Sequence, residues 1–596
     1  MIEVNYQKRK NIELFKSLEE PDLLFLSNAQ NYIPIYTKFF SLNETNYNSI
    51  NLNNKWYISS INNSNDDDYY LYNCRIKNTS NNKTKDKNVF FKIAPLLDPY
   101  KYLIGKYNIQ DEKLFVLPTL NSTEEMCHPK FIDTNNSAYV DGLFLYLTSS
   151  LLHTHNFSHG VDYYGSFLGI KNDFVINVFD DIDYLNNSDF FNKNKNVLFK
   201  IDDYDHLFQN DNQKLKPIKI EHNISAKSQL SVKSFNNDIF EEVFEEEITP
   251  QNENDLTEFV DLVDLSNVNF LDNKECNQKV TLKSSSTCSS RSSYTNEDEN
   301  LEEEFENNQD DDKNNGEIDE EKNSSENDDY ENDTETCDEE RIEAIIPKFP
   351  VQIIGMEYCE NTFDDLILSE KLSKEEWYSA FMQIIMILIT YQKAFNFTHN
   401  DLHTNNVMYN TTEQKYIYYC YKNKYYKVPT FGRIFKIIDF GRSIYKFNGK
   451  LFCSDSFQMG GDAATQYNTE PYLNEKKPRL EPNYSFDLCR LACSIFDYVI
   501  DDINEIKNID KIGEPIKFLI NEWCLDDKGI NMLYKNNGLD RYPDFKLYKM
   551  IARYVHNHTP QAQLERPEFS AYSKFKGDIP TDQVINIDNI PSYALI

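Results

Sequence analysis

The sequence predicts an α+β protein in two parts, a small β-rich part and then a mainly helical one, with a long acidic insertion between them. Three observations carry that prediction. Short aromatic and β-branched runs fill the early part of the chain, and long apolar helical patterns fill the last third. Between them, residues 297–340 hold 23 Asp and Glu against only Lys313 and Lys322. The 596 residues carry a net charge of −36, and that one segment supplies more than half of it. With 40% hydrophobic residues, including 40 Tyr and 40 Phe, the chain can still bury a large core.

Residues 1–50 are read only as an N-terminal extension. In 51–171, KWYISSI, DYYLYNCRIKN and NVFFKIA are strand-like runs separated by polar clusters, the pattern of an antiparallel meander. A helix is expected at 138–154, then a strand in HGVDYYGSFLGI. Residues 172–344 read as an insertion, of which 281–340 is predicted disordered, because dense like charge with few apolar residues cannot offset chain entropy. A strand and turn follow at 345–360. The helix-rich part is 361–570, opening with a helix at 373–397 whose Ser373 and Glu376 form a capping-box signature. A Tyr-rich hairpin-like stretch (416–435), a loop (441–470), helices from 485 and a tail at 571–596 complete the chain.

Composition excludes several classes. Eleven cysteines show no Cys-x-x-Cys pair, and the nearest two, Cys489 and Cys493, lie one helical turn apart, against a zinc ribbon or a secreted disulfide framework. No basic stripe suits a nucleic-acid partner, and no run of 18 apolar residues suits a membrane span. The start of the sequence has no apolar signal region, so an intracellular, cytoplasmic protein is expected. The acidic segment reads as a solvated insertion, with recruitment of a basic partner as the functional alternative.

The chemistry is concentrated after the 373–397 helix. His399-Asn400-Asp401-Leu402-His403-Thr404-Asn405-Asn406, followed by FKIIDFGRS with Asp439-Phe440-Gly441, fits H-x-D-L-x-x-x-N … D-F-G. Phosphoryl transfer from ATP needs Mg²⁺ held on the phosphates and an oriented acceptor hydroxyl. Asp401 would accept the hydroxyl proton, Asn406 would offer a carbonyl oxygen to one metal, and Asp439 would chelate Mg²⁺. The alternative is that His399 and Asp401 cap a loop and Asp439 opens an ordinary turn.

On these motifs the chain resembles the protein kinase superfamily, of serine/threonine type. His403, where most members carry Lys, is similar to the catalytic loop of haspin-like kinases and of aminoglycoside- and choline-type small-molecule kinases. Composition and motif wording resemble protein kinases of giant DNA viruses of the mimivirus type, which implies the host cytoplasm or the virion as location. The resemblance covers about 50–170 and 345–570 and implies a two-lobed fold with ATP between the lobes. It implies Lys92 in VFFKIA as the lysine on the α- and β-phosphates, with Asp141 as its partner in place of the usual Glu; Lys200 in VLFKIDD competes but lies after the fourth strand. It implies Met356 as gatekeeper and the backbone of Glu357, Tyr358 and Cys359 as the hinge that holds adenine, with Phe440 and Gly441 closing the nucleotide site. Asp487 would brace the catalytic loop.

Departures from the family are plain. Residues 55–91 contain no glycine, so the loop that normally lets backbone N–H groups approach phosphates is missing. Asn400 replaces the Arg that docks a phosphorylated activation loop, and only TEPYL (469–473) approximates A-P-E. The expected activity is Mg-ATP-dependent phosphorylation of a protein substrate. The alternatives are a kinase-fold scaffold without catalysis and a small-molecule phosphotransferase.

Overall fold

The computed structural model describes residues 2–204, except 66–67, and 341–595, except 370, 501, 503–504, 506–512, 578 and 581. The segment expected to be disordered, 281–340, lies outside the described residues, as does most of the 172–344 insertion. The chain is a mixed α+β fold. Among the described residues no helix is long and apolar enough to cross a membrane.

The first half is built on one antiparallel sheet. Two short strands, β1 (Tyr6–Lys8) and β3 (Ile50–Leu52), pair beside it, while β2 (Leu26–Gln30) forms its edge. The expected meander is β4 (Trp56–Asn65), β5 (Asp68–Asn78) and β6 (Thr84–Pro95), followed by β7 (Tyr163–Asn177), β8 (Lys200–Ile201) and β9 (Glu343–Glu357). The order across the sheet is β2-β7-β9-β6-β5-β4, with β8 added alongside β9. Strand β7 runs past residue 171, because Phe174 and Ile176 resume the buried alternation after polar Lys171–Asp173, so ordered sheet continues into the segment read as insertion. Exposed Lys200 sits on the short β8, paired with Ile345.

Helix α1 (Ser137–His155) lies across this sheet, its first turn capped by the Asn136 side chain, which accepts from Ala138 N at 3.1 Å. Gly142 permits the close approach: a Cβ there would fall 2.2 Å from Nε2 of Gln352 on β9.

The second half centres on α3 (Lys374–Phe395), which follows the short α2 (Phe363–Ser369). The capping box at its start is formed: Ser373 Oγ accepts from Glu376 N and Glu376 Oε2 accepts from Ser373 N. Nearly every residue from Ser379 onward is buried, as its largely apolar sequence requires. Small antiparallel ladders then carry the motif residues: β10 (Asn361–Thr362), β11 (Val407–Thr411) and β14 (Arg433–Ile437) form one sheet, and the Tyr-rich hairpin is β12 (Tyr416–Tyr421) with β13 (Lys424–Pro429). The segment expected as loop holds a hairpin, β15 (Ile444–Phe447) and β16 (Lys450–Cys453). Helices α4 (Phe486–Val499), α5 (Pro515–Trp523) and α6 (Lys546–Tyr554) follow, and β17 (Val584–Asn586) in the tail pairs parallel with β12.

A candidate nucleotide and phosphoryl-transfer site

Lys92 projects from β6, where it pairs with Ile354 of β9. Its Nζ lies 2.6 Å from Asp141 Oδ2 on α1 and 3.0 Å from Asp439 Oδ1 at the end of β14. Burial opposes the ammonium charge, but the two carboxylates outweigh it and hold Lys92 above its ordinary value. The other oxygen of Asp141, Oδ1, accepts from Phe440 N at 2.9 Å. One carboxylate therefore joins β6, α1 and the segment after β14. The Phe440 ring completes that joint, with its centroid 4.6 Å from Phe144 of α1 and 5.9 Å from Phe397. Asp439 adopts φ 60, the left-handed region, which turns the chain sharply before Gly441.

The 399–406 loop is fixed from below by Asp487, the second residue of α4. Its Oδ2 accepts from His399 N and its Oδ1 from Asn400 N, both at 2.9 Å. Burial pushes this carboxyl above its ordinary range, against the pull of His399 and the two backbone donors. His399 Nε2 donates to Ile438 O at 2.9 Å, tying the loop to the residue that follows β14. Asn400 has φ 65, a left-handed conformation that Asn adopts more readily than most non-glycine residues. Its amide donates to Arg442 O at 3.0 Å, and its Oδ1 accepts from Tyr467 OH at 2.8 Å.

Asp401 is nearly covered, and Asn406 Nδ2 donates to its backbone oxygen at 2.9 Å. That hydrogen bond leaves Asn406 Oδ1 as the acceptor available to a cation. The same Nδ2 lies 3.1 Å from His403 Nε2, so His403 accepts there and carries its proton on Nδ1. Burial drives His403 down to about 4, so it is neutral where a lysine would be charged. Among the described residues no group of three or more His, Cys, Asp or Glu is poised to hold a metal by itself. A cation here would need Asp439, whose side chain is half exposed, and Asn406 together with ligand oxygens.

The expected hinge follows β9. Met356 is buried, and Glu357 N donates to Asp162 O at 2.8 Å. The Glu357 carboxylate accepts from Lys436 Nζ, Asp162 N and Asn410 Nδ2, each at 3.1 Å, so the side chain anchors this segment to β11 and β14. Cys359 is buried, which pushes its thiol up to about 12 and leaves it inert.

Sequence reasoning named neither Lys436 nor the groups around Asp401. Arg442 Nη1 lies 3.6 Å from Asp401 Oδ2, Asp462 Oδ2 accepts from Arg442 Nη2 at 2.6 Å, and Tyr548 OH donates to Asp401 Oδ1 at 2.8 Å. Arg442 directly follows D-F-G and was within reach of a closer reading; Tyr548, 147 residues from Asp401, carries no local signal. Compared with known proteins, the chain matches no family model and no curated protein.

Proposed function

We propose that this chain is an ATP-dependent serine/threonine protein kinase with a two-lobed protein-kinase-like fold, acting in the cytoplasm. The observation that carries the reading is the meeting of Lys92, Asp141 and Asp439, three charged residues remote in sequence and adjacent in space. On this reading Lys92 binds the α- and β-phosphates while Asp141 aims it, and the backbone at Glu357–Cys359 takes the adenine. Asp439 and Asn406 would hold Mg²⁺, which neutralises phosphate charge when bound. Asp401 accepts the proton of the acceptor hydroxyl. The β15–β16 hairpin and the helices beyond residue 485 favour a protein acceptor, since a peptide needs a platform after D-F-G.

A second reading, a scaffold without catalysis, is favoured by one feature. Residues 55–91 contain no glycine, so the backbone there lacks the residue type that lets N–H groups approach phosphate closely. Transfer of labelled γ-phosphate from Mg-ATP to the protein itself and to general protein substrates separates the two. Wild type is expected to label, and Asp401→Asn to lose about a hundredfold or more in rate. A folded wild type that labels nothing would leave the scaffold as the better reading.

A further inference from the structure

Both oxygens of Asp401 are engaged by side chains outside the motif. Oδ1 accepts from Tyr548 OH at 2.8 Å, and Oδ2 faces Arg442 Nη1 at 3.6 Å. Tyr548 comes from α6 and does not act as a loose flap. Its ring is buried, stacked on Phe545 at 5.1 Å, near Phe486 at 6.2 Å, with the Arg490 guanidinium 4.9 Å from its centroid. A phenol held that firmly has one orientation to offer, and it points at the carboxylate.

Arg442 is held as firmly. Its Nη2 and Nε donate to Asp462 Oδ2 at 2.6 and 3.2 Å, and its backbone oxygen accepts from Asn400. The anion that holds the Arg442 guanidinium is therefore an aspartate of the chain itself.

We infer that Tyr548 is a positioning residue for Asp401, acting with Arg442 as a two-sided clamp that sets the carboxylate toward the acceptor hydroxyl. Asp462 fixes the Arg442 arm, so the clamp closes without phosphorylation of the loop. Neither residue reaches nucleotide in this role, so the effect falls on turnover. The inference rests on the kinase reading above.

The test is steady-state phosphate transfer to a general protein substrate by the full chain and by Tyr548→Phe, which removes only the hydroxyl and keeps the ring packing. The expected result is a kcat lower by about tenfold with KM for ATP within about twofold of wild type. Asp462→Asn should show a smaller fall of the same kind. A phosphatase-treated wild type should keep its activity.

An unchanged kcat in Tyr548→Phe would overturn the inference, and a raised kcat would do so in favour of a hydroxyl that blocks the acceptor. Loss of activity after phosphatase treatment would overturn the part played by Asp462. Should Tyr548→Phe unfold, Asp462→Asn carries the test through the Arg442 arm, where an unchanged kcat would overturn the clamp. A wild type that transfers nothing defeats the kinase reading and the inference with it, which is distinct from an active wild type beside an indifferent variant.

Discussion

Asp487 and Asp141 are both buried carboxylates borne on helices, and burial pushes both above the ordinary carboxylate range. They differ in what they hold. Asp487 directs both oxygens at peptide N–H groups of the 399–406 loop, whereas Asp141 divides itself between one peptide N–H and the long side chain of Lys92. The first joint is built from backbone and cannot open without unfolding the loop. The second includes a flexible side chain that is one-fifth exposed, so it can open while the sheet and α1 stay folded. The difference divides the site into a fixed floor and an adjustable wall.

Breaking the floor should have the largest effect. Asp487→Ala leaves two buried N–H groups without an acceptor and is expected to destabilise the protein by about 3–5 kcal/mol, since each hydrogen bond to a charged partner contributes about 1.5–3 kcal/mol. Asp487→Asn should rescue little, because its amide nitrogen would face one of the same donors. Urea unfolding midpoints check this, and a variant within 1 kcal/mol of wild type would mean that the loop is fixed by something else.

Acid should also act through two buried histidines. His403 in the 399–406 loop and His159, whose Nδ1 donates to Phe435 O and whose Nε2 accepts from Tyr419 OH, are both driven down to about 4 by burial. Between pH 6.5 and 4 the unfolded chain binds more protons at these sites than the folded one, so their stabilisation is full above pH 6.5 and is lost as pH falls. Each is worth about 3 kcal/mol at most. Unfolding midpoints from pH 7 to 5 should decline, and His159→Gln should make the decline shallower; an unaltered slope would show that His159 is not titrating in this window.

The motif residues were legible in the sequence, whereas the joints at Asp487 and at Lys92–Asp141 were named only through the resemblance. Asp401, Asn406 and Asp439 sit in two short motifs whose spacing carries meaning within a few residues. Ser373 and Glu376 announce their helix for the same reason. Lys92 and Asp141 are 49 residues apart, so no periodicity connects them, and only the family resemblance paired them. Tyr548, Asp462 and Lys436 act through contacts made by folding, between segments that are each unremarkable alone, whereas Arg442 directly follows the D-F-G tripeptide. The strand Tyr163–Asn177 ran past its expected end because three polar residues hide the resumed alternation. Residues β2 and β17 contribute, in segments read only as extension and tail, are likewise too few to signal a strand before their partners are known.

The wall gives the smallest and most discriminating prediction. Lys92→Met removes the cation and leaves Asp141 buried beside Asp439, so stability should fall by about 1–2 kcal/mol, less than for a fully enclosed pair because Lys92 is partly exposed. Asp141→Asn in that background removes the stranded charge and keeps an oxygen for Phe440 N, so it should recover part of the loss, a rescue that Asp487 cannot have. The alkaline limb supplies an independent check. The folded value of Lys92 is raised, so its stabilisation is complete below pH 10.5 and is lost as pH rises through the folded value; in Lys92→Met that dependence should vanish. Equal stability of the single and double variants would mean that Asp141 is not stranded by loss of the lysine, and the contrast between floor and wall would then rest on Asp487 alone.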